Sequence, residues 1–306
     1  MLKNLNLRSK YIEDGYVVVS GVIPESLIEK YLNSISAAVN KGGFNHAFTQ
    51  HKHTYERLRY DSNGLLAESI QNPHAYPWSK DVRFAVADIL CNADVLDSVK
   101  DATGVVGPQG IWQSMYFDKS TGTRPHQDTY YLDTDPYGGV VGVWFALEDI
   151  CAEAGPFYVI PRSHIDGPLF AEADSQIRYS DHEGFAEAMS EYESKHAKNV
   201  TPLLVKRGDI VIWSSTLVHG ALDPVSDVKS RKSLTAHYFP QDAELKFFDS
   251  KPVLVCPPGH DVPVMGFPNG TQILKSQIKM IGNVFVQWLK QRGPEMDMRR
   301  SSNDKR

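Results

Sequence analysis

The sequence predicts a mainly β domain, a sandwich or closed barrel, with helices on its flanks. From Gly107 onward, short apolar segments are separated by turn residues, and several alternate with the two-residue period of a half-buried strand. Before Gly107, two longer segments carry apolar residues at helical spacing instead. Because 42% of the 306 residues are hydrophobic and 23% are charged, the chain can bury a sizeable core. We expect residues 1–291 to form a single domain.

The first third of the chain contains one predicted strand and two predicted helical stretches. The β-branched run at 15–20 predicts the strand. Residues 25–39 and roughly 79–103 place apolar side chains at intervals of three and four residues, which predicts helices. Residues 41–63 are rich in His, Lys and Arg without a clear period, so we expect irregular surface structure there.

Segment 139–149 is the clearest strand, because its side chains alternate between two faces. One face is apolar and carries Val141, Val143, Phe145 and Leu147. The other face combines small residues with one large aromatic and carries Gly142, Trp144, Ala146 and Glu148. The small residues leave two alternatives open, close packing of another element or room for a bound small molecule beside Trp144. Further strands are predicted at 155–160, 203–206, 208–213 and 232–239.

The β pattern breaks at two later places. Residues 165–200 are acidic, polar and partly helical, and they predict an insertion that is either a solvated helical segment or a lid over a site. Apolar residues from Ile273 to Leu289 predict an amphipathic helix that packs against the sheet. Residues 292–306 are charged and contain Gly, Pro and Ser, so we expect a disordered tail.

Charge, cysteine usage and hydropathy exclude several classes of protein. The net charge of −5 and the pI near 6.1 argue against a nucleic-acid binder, which would carry a basic domain. Cys91, Cys151 and Cys256 form no CxxC pair, which excludes a disulfide framework and a cysteine zinc site. No apolar run is long enough to span a membrane, and no secretory segment opens the chain. We therefore expect a cytoplasmic protein whose partner is a small molecule rather than a nucleic acid or a membrane.

Two histidines, a carboxylate and an arginine form the most informative pattern in the chain. His126 and Asp128 are two residues apart, so on a strand they point the same way, and His219 closes a later strand-like segment. Two His and one carboxylate form a facial triad that leaves three positions open on Fe(II). Arg231 follows soon afterwards and offers a rigid, charged fork to a carboxylate such as that of 2-oxoglutarate. The pattern predicts catalytic iron ligands at the three triad residues, with Fe(II), 2-oxoglutarate and O2 as cofactors.

Other residues near these segments are further candidates for the site. Gln113 and Gln127 are expected to contact the cosubstrate, and Tyr130 is expected to shape a substrate pocket among the aromatic residues around the triad. His237 shares a strand face with Arg231 and is predicted to be a hydrogen-bonded interior residue.

Several motifs resemble those of the phytanoyl-CoA dioxygenase family of Fe(II)- and 2-oxoglutarate-dependent oxygenases. They are RPHQDTYYLD, VGVWFALEDI, AGPFYVIPRSH, LVHGA and SRKSLTAHYF, and the resemblance spans roughly residues 10–245. It implies a double-stranded β-helix core (jelly-roll, cupin-like), iron ligation by the triad and anchoring of the 2-oxoglutarate C5 carboxylate by Arg231. It also places Trp144 on the cosubstrate side. Where members often have Pro-Gly-Ser-His, this chain has Arg162 in place of the glycine, and we expect this cation to contact substrate near the mouth of the site.

The resemblance implies an enzyme that hydroxylates a C–H bond of a small molecule and releases succinate and CO2. Two alternatives stay open. The same cofactors could serve epoxidation, desaturation or cyclisation of a biosynthetic intermediate, or the chain could be a non-catalytic jelly-roll protein that binds a metal or a small acid. Neither the substrate nor the oligomeric state is predicted.

Overall fold

The computed structural model of the protein describes residues 2–49, 52–170, 181–226, 228–246 and 252–303. Within these ranges it contains six α-helices: α1 (Leu2–Asp14), α2 (Glu25–Lys41), α3 (Lys80–Leu90), α4 (Ala93–Thr103), α5 (His182–Lys195) and α6 (Gly270–Asn303). The same ranges contain fifteen strands: β1 (Tyr16–Val19), β2 (Phe44–Thr49), β3 (Lys52–Arg57), β4 (Ile70–Gln71), β5 (Gln109–Phe117), β6 (Thr134–Asp135), β7 (Val141–Ala146), β8 (Phe157–Val159), β9 (Thr201–Pro202), β10 (Ile210–Ser214), β11 (His219–Ala221), β12 (Ser233–Pro240), β13 (Glu244–Leu245), β14 (Leu254–Val255) and β15 (Val264–Met265).

Two sheets form the body of the molecule. The larger has the order β1-β10-β7-β12-β5-β15-β14, with β4 also paired to β5, and the smaller has the order β11-β8-β9. All of these neighbours are antiparallel except β15 and β5, which run parallel. The prediction of a mainly β fold with flanking helices is confirmed, and β1, β7, β8, β10 and β12 fall on predicted strands. The strand predicted at 203–206 is wrong, because the regular ladder with β8 ends at Pro202. Only the Leu203 amide still bonds to β8, at the Phe157 carbonyl, and the Leu203 and Val205 side chains are buried in the core.

Both faces of β7 are buried, and each packs in a different core. Val141, Val143 and Phe145 belong to the main core beneath α2, α3 and α4. Trp144 and Ala146 face a second cluster between the two sheets, which Phe157 and Trp213 share. A Cβ on Gly142 would come within 2.1 Å of the Trp213 ring, so this small residue serves close packing and not a cavity.

The helical stretch predicted at 79–103 divides into α3 and α4. Ser79 caps α3 by accepting a hydrogen bond from the Val82 amide. Asn92 caps α4 in the same way, accepting hydrogen bonds from the amides of Asp94 and Val95. A second cap residue within the stretch starts a new helix, because its side chain satisfies amides that a continuous helix would bond internally.

The expectation of irregular structure at 41–63 is wrong, because β2 and β3 form an antiparallel hairpin there. Few of its residues are apolar, so periodicity does not reveal it. Polar contacts hold it instead: buried Asn45 donates to the Ser69 carbonyl, and the Tyr55 amide donates to Gln287 of α6.

The insertion at 165–200 is packed onto the segment that carries two of the predicted iron ligands. Phe170, Phe185 and Met189 form a buried cluster with Tyr130, Ile160 and Val218. Residues 171–180 lie outside the described residues. In the part described, the insertion therefore packs on the body of the protein through a separate apolar cluster that both contribute to.

One prediction about the C-terminal region differs from the structure. The predicted amphipathic helix is present as α6, but its apolar side does not pack against the sheet: Leu274, Ile278 and Phe285 are each more than half exposed. The helix meets the body through Gln277, Met280 and Gln287 instead. The helix is bounded by Gly270 and Asn303, and the disorder of residues 292–306 stays a prediction. No helix in the described ranges is long and apolar enough to cross a membrane.

Candidate metal centre and active site

His126, Asp128 and His219 come together in the fold, with one donor atom from each within 4.8 Å of the others. The Nε2 atoms of His126 and His219 lie 3.7 and 3.6 Å from Oδ1 of Asp128. Both separations are too long for hydrogen bonds. They match donors around a shared ion, since ligand atoms about 2 Å from one metal lie about 3–4 Å from each other.

The backbone places the two histidines side by side. His126 and His219 form an isolated antiparallel bridge, in which each amide donates to the other's carbonyl, at 2.9 and 3.0 Å. Asp128 then opens a 3-10 turn (Asp128–Tyr130) instead of continuing a strand. Because Gln127 is extended, the His126 and Asp128 side chains still point the same way, as the spacing predicts.

Hydrogen bonds on the far side of each ring set the tautomer of both histidines. Nδ1 of His126 lies 2.9 Å from the Arg124 carbonyl, and Nδ1 of His219 lies 2.9 Å from the Leu217 carbonyl. A carbonyl only accepts, so each Nδ1 carries the proton and each Nε2 presents a lone pair toward the centre. Burial lowers the pKa of His219 to about 3, which keeps that imidazole neutral at physiological pH.

The Asp128 carboxylate is held from behind by two nitrogen donors. Its Oδ2 accepts hydrogen bonds from Nε1 of Trp213 at 2.8 Å and Nε2 of His237 at 3.1 Å, which leaves Oδ1 facing the two ligand histidines. Burial alone would raise the Asp128 pKa, but the neighbouring imidazoles of His237, His219 and His126 outweigh it and hold the pKa well below its usual range. The carboxylate is therefore ionised and oriented, as a metal ligand must be.

His237 and Trp213 thus support the ligand set. The prediction that His237 is a hydrogen-bonded interior residue is confirmed. Its Nδ1 lies 3.4 Å from Nε2 of Gln113, an amide nitrogen that only donates, so Nε2 of His237 carries the proton given to Asp128. Trp213 was not among the predicted site residues. Strand alternation along β10 puts it on the inner face, where a buried indole N–H needs an acceptor, and that was the available signal.

Arg231 is a buried cation, and none of the described carboxylates forms an ion pair with its guanidinium group. The residue is 2% exposed, and its Nε makes no hydrogen bond with the residues described. The guanidinium carbon lies 5.5 Å from the Phe117 ring centre and 5.9 Å from that of Trp144. Burial lowers the Arg231 pKa to about 10, so it stays protonated at neutral pH. A buried unpaired charge is costly, and this one is suited to receive an anion.

The neighbouring acidic groups are engaged by the next residue along the chain. Lys232 lies on the opposite strand face, with its Nζ 3.6 Å from both Asp118 and Glu148. Asp118 and Glu148 therefore compensate Lys232, while Arg231 points into the space between the sheets beside Trp144. Trp144, which was predicted to line the cosubstrate side, lies beside Arg231, and its contact with a cosubstrate stays a prediction.

Three predicted contacts have other roles in the structure. Both amide hydrogens of Gln127 go to the carbonyls of Thr216 and Gly167, and its oxygen accepts from the Leu169 amide, so it fastens the insertion and has no capacity left for a cosubstrate. Tyr130 is fully buried and stacks on Phe185 of α5 at 3.8 Å, so it supports the insertion and does not line an open pocket.

Arg162 also departs from its prediction. It is exposed in a left-handed conformation (φ 70°), and its Nη1 lies 3.6 Å from Glu13 of α1, which turns it toward the N-terminal helix. Tyr131, which sequence reasoning did not single out for the pocket, is half-buried and lies edge-on to His126, with ring centres 6.2 Å apart. Two further aromatic rings lie against the other ligand histidine, with the ring centres of Trp213 and Phe157 5.1 and 5.5 Å from that of His219. Gln113 reaches the centre through His237, and its contact with a cosubstrate stays a prediction.

Known proteins of similar sequence point to one family. The sequence model for phytanoyl-CoA dioxygenase (PhyH) matches residues 11–233. Phytanoyl-CoA dioxygenase domain-containing protein 1 of Danio rerio is 36% identical over 131 residues, which cover 42% of this chain and 44% of that protein. The Caenorhabditis elegans homolog is 25% identical over 267 residues, covering 76% of this chain and 89% of that protein. With the first of these relatives, the match spans less than half of the relative's length.

Solved structures show the same fold at low sequence identity. The non-haem α-ketoglutarate-dependent carbocyclase SnoK superposes with a TM-score of 0.57 at 19% identity, covering 78% of this chain and 84% of that one. The epimerase SnoN of the same nogalamycin biosynthesis gives 0.55 at 17% identity, covering 87% and 96%. The family match spans most of the chain and includes His126, Asp128, His219 and Arg231. This chain belongs to the phytanoyl-CoA dioxygenase family.

Proposed function

We propose that the protein is a non-haem Fe(II)- and 2-oxoglutarate-dependent dioxygenase that hydroxylates a C–H bond of a small molecule, with succinate and CO2 as co-products. One observation carries this proposal. A buried triad of metal-ligand side chains lies in the same site as the buried cation Arg231, with which none of the described carboxylates forms an ion pair. Family membership supports the oxygenase class. The epimerase SnoN, which has been crystallised with Fe3+, α-ketoglutarate and a nogalamycin, supports a small-molecule substrate.

The donor set fits Fe(II). Two neutral imidazoles and one ionised carboxylate oxygen are the ligands that such centres use while leaving positions open. His126, Asp128 and His219 would hold the ion, and Arg231 would hold the distal carboxylate of 2-oxoglutarate by a charge-assisted contact. When bound, iron would activate O2, the four-electron oxidant, and 2-oxoglutarate would supply two of the electrons as it is oxidised to succinate and CO2.

The protein's own residues position these groups and exclude water. Trp213 and His237 fix the rotation of the Asp128 carboxylate, and the two carbonyls behind the histidines fix their rings. Phe117 and Trp144 flank the Arg231 guanidinium and keep solvent from it. Half-buried Tyr131 lies edge-on to His126 and is our candidate for the first substrate contact.

The same proposal extends to the architecture and setting of the site. Two features support a double-stranded β-helix. Metal ligands lie at the bridge between His126 and β11, and two largely antiparallel sheets enclose an aromatic core. Free Cys91, Cys151 and Cys256 agree with a reducing cytoplasmic compartment. The docked insertion supports a lid role for the part of 165–200 that the structure describes.

The test begins with an anaerobic absorbance titration of the metal-free protein with Fe(II) and 2-oxoglutarate. We expect a visible metal-to-ligand band that needs both components. Arg231→Ala should raise the 2-oxoglutarate concentration at half-saturation by about 10–100-fold, since a hydrogen bond to a charged group contributes about 1.5–3 kcal/mol. Lys232→Ala is the matched control, because it removes a cation one residue away that faces the other side. Equal shifts in the two variants would contradict the anchoring role.

The product distinguishes hydroxylation from the alternative outcomes. With O2 and a panel of small molecules, a hydroxylase forms succinate and a product heavier by one oxygen atom, whereas desaturation or cyclisation yields a product lighter by two hydrogens. Epoxidation of an alkene adds the same mass as hydroxylation, and nuclear magnetic resonance of the product distinguishes the epoxide from the alcohol. An absence of the absorbance band in folded protein would favour the non-catalytic alternative.

A further inference from the structure

The described part of α6 is an amphipathic helix whose apolar side faces away from the protein and whose more polar side faces toward it. Its outward side carries Leu274, Ile278, Ile281, Phe285 and Leu289, here called the α6 apolar stripe, and each of these residues is between 39% and 62% exposed. Their spacing of three and four residues places them along one line of the helix. An isolated exposed apolar residue is ordinary, but a continuous row of five marks an interaction surface.

The opposite side of α6 attaches the helix to the protein through more polar contacts. The Gln277 amide donates to the Pro77 carbonyl at 3.0 Å, and the Gln287 oxygen accepts from the Tyr55 amide at 2.9 Å. Between them, the Met280 sulfur lies 3.3 Å from Nε1 of Trp78. These specific contacts orient the helix, so the stripe faces away from the body.

The charges beside the stripe are all of one sign. Residues 262–294 contain Lys275, Lys279, Lys290 and Arg292 but neither Asp nor Glu, although the whole chain carries a net charge of −5. Lys275 and Lys279 are exposed and lie about 60° and about 100° from Ile278 around the helix axis, at about 100° per residue. They therefore border one edge of the stripe, where their long side chains can reach a polar surface while the apolar residues are buried.

We propose that the α6 apolar stripe docks the protein reversibly onto an anionic lipid bilayer surface, with the helix lying in the interface plane. A cationic helix with Leu, Ile and Phe on its free side has the composition of such interfacial helices. Anionic headgroups complement the lysines at the edge of the stripe. A second copy of this chain would instead bring like charges together, because the segment offers no carboxylate to pair them. The sequence predicts no membrane partner, and this proposal differs from that prediction. The helix would bind the bilayer surface without spanning it.

The test is co-sedimentation of the full chain with vesicles. We expect binding to phosphatidylcholine vesicles that contain about one third phosphatidylserine to exceed binding to pure phosphatidylcholine by about 100-fold, since each of three lysines contributes about fivefold near an anionic surface. Raised salt should abolish the difference. Lys275→Ser with Lys279→Ser should weaken binding by about 25-fold, and Phe285→Ser should weaken it on both lipids.

Val106→Ser is the matched control, because Val106 is 91% exposed but lies far from α6 in the sequence. It should bind vesicles like the unchanged protein, and all variants should keep the Fe(II)–2-oxoglutarate absorbance band, which separates this proposal from the proposed function. Two results would overturn it: an absence of lipid-dependent sedimentation, or a stable dimer in light scattering that Phe285→Ser converts to a monomer.

Discussion

Asp128 shows at the scale of single residues how a ligand set is prepared before any ligand arrives. One carboxylate oxygen accepts two hydrogen bonds from Trp213 and His237, and the other faces the histidines. Partners behind a ligand commonly change metal affinity by about 10–100-fold. Trp213→Phe keeps the ring and removes the donor, so we expect Fe(II) affinity to fall within this range.

The measurement for Trp213→Phe is anaerobic Fe(II) titration, with thermal unfolding as a check on folding. His237→Phe should give a loss of similar size, and the double variant should lose less than the sum of the two, because both donors act on one oxygen. Trp112→Phe serves as the control for loss of an indole outside this contact. Unchanged Fe(II) affinity in both single variants would contradict the positioning role.

His74 makes a second residue-scale prediction, which concerns stability and pH. The side chain is fully buried, with Nδ1 2.6 Å from the Ser114 hydroxyl and Nε2 3.0 Å from the Met265 carbonyl. Burial lowers its pKa from 6.5 to about 4. Between these values the unfolded chain binds a proton that the folded protein does not, so the free energy of unfolding decreases as the pH falls from about 6.5 to 4.

Across the whole of this pH range the free energy of unfolding decreases by about 3 kcal/mol, since one pKa unit corresponds to about 1.36 kcal/mol. Urea unfolding at pH 7 and pH 4.5 measures it, and His74→Gln should reduce the difference between the two pH values. His182→Gln, which replaces an exposed histidine, should leave the difference unchanged. A pH dependence identical in His74→Gln and the unchanged protein would show that another group is responsible.

Sequence reasoning identified the residues whose chemistry is local and missed those whose role depends on a distant partner. The triad and Arg231 could be found because the residue types and their order carry the chemistry. The roles of Trp213, Tyr131, Gln127 and Arg162 depend on which carbonyl, ring or carboxylate the fold brings near, and strand alternation alone does not contain that information.

At the scale of elements, an aromatic stack contributes to the packing of α5 against the ligand segment. Phe185 is fully buried and parallel to Tyr130, two residues after Asp128. Phe185→Ala should destabilise the docked insertion by about 3 kcal/mol, as for other buried Phe→Ala changes. Hydrogen exchange should accelerate in His182–Lys195 while β7 and β12 keep their protection.

Glu187→Ala is the control for Phe185→Ala, because Glu187 is exposed on the same helix. If the insertion acts as a lid, Phe185→Ala should also increase succinate formation without substrate product, since water enters the site. Uniform acceleration of exchange over the whole chain would show that α5 unfolds only with the rest of the protein.

The elements that could be predicted are those whose buried residues recur with the period of a strand or a helix. The elements that were missed or misplaced depend on polar contacts instead. The apolar strands and α2 were predicted near their bounds. The β2–β3 hairpin was missed because few of its residues are apolar, and the break between α3 and α4 depends on the Asn92 cap. The existence of α6 was readable, but its orientation was not, since it follows from contacts of Gln277 and Gln287 with residues far away in the chain.

At the scale of the whole molecule, the ligands join segments that meet only in the folded state. His126 and Asp128 precede β7, and His219 lies on β11 of the smaller sheet. Metal binding therefore stabilises the folded form by mass action, by about 2.7 kcal/mol at a concentration 100 times the Kd. We expect Fe(II), or Mn(II) as an air-stable substitute, to raise the Tm and a chelator to reverse the change.

Asp128→Ala should remove most of this metal-dependent rise in Tm. Glu187→Ala should keep it, since that carboxylate is exposed and far from the centre in sequence. A rise of equal size in both variants would indicate that the ion binds elsewhere.

The buried guanidinium of Arg231 also lowers the stability of the folded protein whenever no anion is bound beside it. Its charge is buried without a carboxylate from the described residues, so the protein without ligands is less stable than its packing permits. Arg231→Met keeps an unbranched side chain and removes the charge, and we expect it to raise the free energy of unfolding by about 2 kcal/mol while abolishing 2-oxoglutarate binding. Differential calorimetry with and without the keto acid measures both effects. Lower stability in Arg231→Met would show that the cation already has a compensating partner.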